Sequence, residues 1–221
     1  MSVFGRFPVV LLGAVEGVAA WRCAVRLTEA ERRDGLDAPW FMVACALLCG
    51  TVLSAMPLQR YGVPWALAAT SLFFALLHGL TDLMNGYIYD RVVIFSLAAA
   101  LLIRAAGQGG AGITCALMGA AAGWLPLAAI ILVSRGGMGR GDARMMGGLG
   151  ACLGWKLALL SLYLGLMIGG ISASVLLAAR RVGRRDRVPL APFLATGVAA
   201  ALLWGGALTR RFFGTELLGC L

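Results

Sequence analysis

Charge is what this 221-residue sequence has least of: Asp, Glu, Lys and Arg make up 13% of it, whereas 61% is hydrophobic. A soluble domain is about 25% charged and about 45–50% apolar, so the apolar excess is more than one water-surrounded core could hide. With a mean hydropathy of +0.88, a soluble domain and a disordered chain are both excluded. Histidine is almost missing, at one residue, and the six cysteines contain no CxxC pair. Without a CxxC pair and with one histidine, metal binding would need further ligands that no spacing in the sequence supplies, and neither a metal nor another cofactor is expected. Cys45 and Cys49 share a helical face, where thiols pack as small hydrophobes. Acids are scarce too, ten against nineteen Lys and Arg, for a net charge of +9. In so apolar a chain basic residues follow membrane topology, and no nucleic-acid partner is implied.

What the sequence does contain is a series of long uncharged stretches. From Ala38 to Thr81 the one ionised side chain is Arg60, from Val92 to Ser134 it is Arg104, and Leu157–Ala179 and Val188–Thr209 carry none. A bilayer crossing needs roughly 20 apolar residues, and a lipid-exposed backbone must satisfy its own hydrogen bonds, so the expected fold is all-α, a polytopic membrane bundle. Eight segments are read, about 7–26, 39–58, 63–82, 91–107, 111–134, 142–157, 160–179 and 189–208, together forming one integral-membrane domain over 1–221. Breakers separate them: Pro57 and Pro64, Gly107 to Gly110, Gly136 and Gly137, and a weakly marked turn near Trp155 and Lys156. Glu16 interrupts the first apolar run, which argues against a cleaved signal peptide. With the amino terminus outside, Arg6, Arg60, Arg104, Lys156, Arg210 and Arg211 fall on the outer side and the other 13 basic residues on the cytoplasmic side. The positive-inside rule thus predicts both termini outside and the connections 27–38, 83–90, 135–141 and 180–188 in the cytoplasm.

Three acids stand apart from the loops. Glu16 lies inside the first segment, Asp82 ends the third, and Asp142 opens the sixth after Gly139-Arg140-Gly141. Carboxylates in or beside membrane segments are costly and mark functional sites. The orientation puts Asp82 and Asp142 at the same depth on the cytoplasmic side. Two carboxylates brought together at low dielectric share a proton, so one can activate water while the other protonates the carbonyl under attack. Gly139 and Gly141 permit a tight backbone and the close approach of an extended substrate. His78 lies one helical turn before Asp82, where it is expected to pack or hydrogen-bond. Two other readings remain open: a small proton- or cation-coupled transporter using Asp82, Asp142 and Glu16, which would need carboxylates at several depths, and a catalytically inactive assembly protein.

The stretch Gly139-Arg140-Gly141-Asp142-Ala143-Arg144-Met145-Met146, continuing to Gly150 and Leu153-Gly154, resembles the GxGDxKL signature of the type IV prepilin peptidases, polytopic aspartic proteases of the bacterial inner membrane. Thr81-Asp82-Leu83 through Ile88-Tyr89-Asp90 resembles that family's first motif, and Val188-Pro189-Leu190-Ala191-Pro192-Phe193-Leu194-Ala195 a third. The resemblance spans about residues 63–208, the implied catalytic core. It implies catalytic roles for Asp82 and Asp142, with Gly139, Gly141, Arg144 and Asp90 as motif positions in support; His78 is added from its spacing alone, and Asp90 is expected to cap the fourth helix. It further implies prepilin or pseudopilin substrates, of type IV pili or type II secretion, cut at the cytoplasmic face of the inner membrane after a short basic leader. Tyr89 stands where the family usually has proline, and Arg144 where it usually has lysine. Many members carry a cytosolic insert with paired CxxC motifs, associated with methylating the new amino terminus. Here about ten residues, 28–37, occupy that connection, so cleavage without N-methylation is expected.

Overall fold

The described residues of the computed structural model are 7–28, 39–55, 65–134, 138–181 and 189–213. Among them every regular element is an α-helix, as a backbone without water to bond requires. These are α1 (Phe7–Leu27), α2 (Pro39–Ala55), α3 (Trp65–Asn85), α4 (Asp90–Val133), α5 (Arg140–Leu153), α6 (Trp155–Ala178) and α7 (Ala191–Phe213). Three of them, α3, α4 and α6, are long and apolar enough to cross a membrane, and shorter apolar stretches occupy Met42–Leu53 of α2 and Ala191–Gly205 of α7. Pro57, Pro64, Gly136 and Gly137, used above as breakers, and Arg6, Arg60 and most of the 180–188 connection, used for topology, lie outside the described residues.

The 44 residues of α4 are not a straight rod. Gly109 has φ 60° and ψ −139°, non-helical values that interrupt it and that a residue with a side chain adopts only under strain. Gly112 then lies against the Arg104 carbonyl, too close for any side-chain carbon, although eight residues of straight helix would separate the two by about 12 Å. The chain has therefore reversed. Its first arm, 90–108, runs with α5, Ser96 meeting Gly148 and Arg104 meeting the α5 end; its second arm, 110–133, runs against α5, Gly119 meeting Gly150 and Gly123 meeting Met146. At Gly119 and Gly150 each backbone carbonyl fills the place a side chain would need on the other glycine, the close approach by which small residues join helices in membranes.

Gly154, with φ 76°, ends α5 and opens α6, one residue before the expected turn. Arg104, which lies inside the fourth expected segment and was assigned above to the outer side, is 1% exposed. Its Nε donates to the Ala151 carbonyl at 2.9 Å and its Nη2 to the Cys152 carbonyl at 3.0 Å. These belong to the last turn of α5, whose carbonyls have no partner within the helix and whose dipole favours a cation. α6 and α7 pack antiparallel, with Gly165 on Leu194 and Gly205 on Leu157. Leu53, Leu67, Leu72, Met145, Met146, Leu149, Leu194 and Val198 share a single buried cluster. This core draws α2, α3, α5 and α7 together, and the start of α5 and the start of α7 reach the carboxyl end of α3.

Candidate active site

Asp82 does not end its helix. α3 continues to Asn85, so the carboxylate projects from the last complete turn and is 8% exposed. Its Oδ2 accepts a hydrogen bond from the backbone N–H of Ala191 at 3.1 Å. Ala191 is the first residue of α7, and a helix start carries N–H groups without intrahelical partners and the positive end of the dipole. Pro192 follows at the second helical position, where its missing N–H costs nothing. The Pro189–Ala195 segment thus brings a helix amino terminus to Asp82.

Asp142 lies in the first turn of α5, after Gly139 in extended conformation, and is likewise 8% exposed. The two carboxylates lie sixty residues apart in sequence and near enough that the charge of Asp82 acts on Asp142. The glycines around Asp142 serve space rather than backbone freedom. Positive φ among the described glycines occurs at Gly86, Gly109 and Gly154, whereas Gly139 has an ordinary φ of −68°. A carbon added at Gly139 would stand 2.9 Å from Asp142 Oδ2, and one at Gly141 3.0 Å from Ile88 Cβ. Glycine at 139 leaves one side of the Asp142 carboxylate open.

The supporting residues divide. Arg144 Nη1 donates to both carboxylate oxygens of Asp90, at 2.5 and 2.6 Å. Asp90 is the first residue of α4 rather than its cap; Tyr89 holds the cap position and no side chain bonds there. The Asp90 carboxylate is turned to α5 instead. His78 is fully buried, and neither ring nitrogen has a hydrogen-bond partner among the described residues, so its contribution is packing one turn below Asp82. Glu16 lies apart from the pair, on α1 between Gly13 and Gly17, which rest on α2 at Cys49 and Cys45. Among the described residues no group of three or more His, Cys, Asp or Glu could hold a metal ion. Two contributors were not legible as such: the Ala191 N–H, because helix starts carry no side-chain signature of their target, and Tyr89, visible only as a departure from the resemblance. Tyr89 Oη donates to the Leu27 carbonyl at 2.9 Å and accepts from Asn85 Nδ2 at 2.8 Å.

An apolar helical bundle that brings two buried carboxylates from separate helices to one end, Asp142 in the first turn of α5 and Asp82 against the amino terminus of α7, defines a membrane protein with an acid-pair site. Residues 68–174 match the profile of the type IV leader peptidase family. The chain is 33% identical over 182 residues to the prepilin leader peptidase/N-methyltransferase of Bacillus subtilis, covering 80% of this chain and 72% of that protein. The proteins of the same name from Stutzerimonas stutzeri and Pseudomonas aeruginosa are 29% and 30% identical over 181 residues each, covering 79% of this chain and 61% and 60% of theirs. No solved structure matches. The chain belongs to the type IV leader peptidase family, and is a membrane peptidase of that family.

Proposed function

We propose that the chain is an aspartic endopeptidase that removes the short basic leader from prepilin or pseudopilin proteins at the cytoplasmic face of the bacterial inner membrane, without N-methylating the product. The observation that carries this reading is the meeting of Asp82 and Asp142. In the proposed reaction one carboxylate, ionised, takes a proton from water as it attacks the scissile carbonyl. The other, protonated, donates to the carbonyl oxygen, and the pair returns the proton to the leaving amine. The Ala191 N–H orients the Asp82 carboxylate, and glycine at 139 leaves room beside Asp142. The transport alternative is less well served, because among the described residues Asp82, Asp90 and Asp142 lie at one end of the bundle and Glu16 is the one acid elsewhere within a helix.

The site belongs to a single integral-membrane domain, 1–221, with its catalytic core over 63–208. Counting the two arms of α4 separately, the described residues hold eight helical segments, which supports the reading of eight crossings, and the arginine distribution supports the Asp82–Asp142 end as the cytoplasmic one. The brevity of the α1–α2 connection supports the absence of N-methylation. The test is co-expression with candidate prepilins in a host lacking related enzymes, read by gel shift and amino-terminal sequencing. Leader removal is expected, and an intact leader on every pilin-like substrate tried overturns the reading.

A further inference from the structure

Asp82 and Asp142 sit on helices separated in sequence by the whole of α4, so their alignment depends on what holds the start of α5 against the end of α3. The connection from α3 to α4 is four residues, 86–89, and it touches both sides of Asp142. Ile88 lies on Gly141, the residue before Asp142, so closely that an added carbon there would meet its Cβ at 3.0 Å and its Cδ1 at 3.3 Å. Asp90 accepts two hydrogen bonds from Arg144, two residues after Asp142. Between them Tyr89 is extended, with φ −80° and ψ 119°, and extended backbone sends successive side chains to opposite sides. Its hydroxyl accordingly reaches away from α5, to the Leu27 carbonyl at the end of α1 and to Asn85 in the last turn of α3. That carbonyl has no partner within its own helix.

Resting on the peptidase reading, we propose that Ile88, Tyr89 and Asp90 form a clamp that sets the spacing between Asp82 and Asp142, with Tyr89, Asp90 and Arg144 as positioning residues. Tyr89 fixes the loop to α1 and α3, while Ile88 and Asp90 hold the first turn of α5 from before and after its aspartate. The departure from proline at position 89 supplies a hydroxyl anchor on α1 in place of a rigid ring. The Asp90–Arg144 pair is about half exposed at both side chains, and such pairs contribute little to stability. A loss of turnover without a matching loss of stability is therefore the mark of positioning.

The test is a double-mutant cycle with Asp90→Asn, Arg144→Met and their combination, alongside Tyr89→Phe, which keeps the ring and removes the hydroxyl. Misplacement of reacting groups by a fraction of an ångström to about 1 Å lowers turnover by about tenfold to a hundredfold. Each single variant is expected to lower kcat about tenfold with KM within about twofold, at unchanged membrane abundance, and the double variant to fall no lower than the worse single. Multiplied losses in the double, or changes confined to KM, overturn the clamp. A second readout needs no cleavage. With Asp82→Cys and Asp142→Cys in a chain otherwise free of cysteine, oxidative cross-linking of the two positions should slow several-fold on adding Tyr89→Phe or Asp90→Asn. Unchanged cross-linking overturns the proposal even if leader cleavage is never observed, whereas slowed cross-linking in a chain that cleaves no leader would leave the clamp standing and remove the peptidase reading.

Discussion

If Asp82 and Asp142 are the catalytic pair proposed above, the exchange of one oxygen for a nitrogen at either should separate a peptidase from a membrane protein that merely keeps the fold. Asparagine preserves the size of either side chain and destroys the shared proton, so Asp82→Asn and Asp142→Asn are each expected to lower leader cleavage about a thousandfold or more. The measurement is cleavage per unit of membrane-inserted protein, and substantial activity in either variant would falsify the pair. Gly139 gives a subtler test at the same scale. Because a carbon there would crowd Asp142 Oδ2 at 2.9 Å, Gly139→Ala should displace the carboxylate and reduce kcat about tenfold or more while the helix still forms. The φ of −68° is one alanine adopts freely, so any loss comes from space. If Gly139→Ala is as active as the parent, the open side of Asp142 has no part in the reaction.

At the scale of helices, the pattern of apolar runs placed nearly every element, because membrane helices are specified by local hydropathy and breakers. The cluster Gly107 to Gly110 announced the reversal found at Gly109, and the weakly marked turn near Trp155 proved to be Gly154 with φ 76°. What the pattern could not give was the fate of side chains that act across long sequence distances. Arg104 reads only as a lone outer-side charge in an apolar segment, because nothing nearby in sequence shows the open carbonyls of α5, 47 and 48 residues away, that it binds. Asp90 reads as a helix cap for the same reason, its partner Arg144 being 54 residues away. Likewise the end of the third segment was placed at Asp82 because charge breaks an apolar run, whereas the backbone continues helical to Asn85. The two-armed α4 and the break at Gly154 make a topological prediction. In a chain otherwise free of cysteine, Arg140→Cys and Arg181→Cys should both be labelled by an impermeant reagent from the cytoplasmic side, and Gly110→Cys from the outer side. Labelling of positions 140 and 181 from opposite faces would remove one of the two crossings between them, and with it the count of eight.

For the molecule as a whole, the informative comparison is length. Relatives named for two activities are matched over 72%, 61% and 60% of their extent, and the matched region includes the peptidase-family residues 68–174. The proposed lack of methyl transfer rests on the connection between α1 and α2, where the resemblance places an inserted domain. Between Leu27, the end of α1, and Pro39, the start of α2, about ten residues cannot bury a core, and they hold no cysteine with which a metal could replace one. Tyr89 is bonded to the Leu27 carbonyl, which ties the end of α1 to the Asp82–Asp142 end of the bundle. The expected product is therefore a mature pilin with a free, unmodified amino terminus. Mass spectrometry of pilin processed by this chain alone, in a host without related enzymes, should give the unmodified mass. A product heavier by one methyl group, and absent when the chain is absent, would mean that methyl transfer resides in the helical bundle itself.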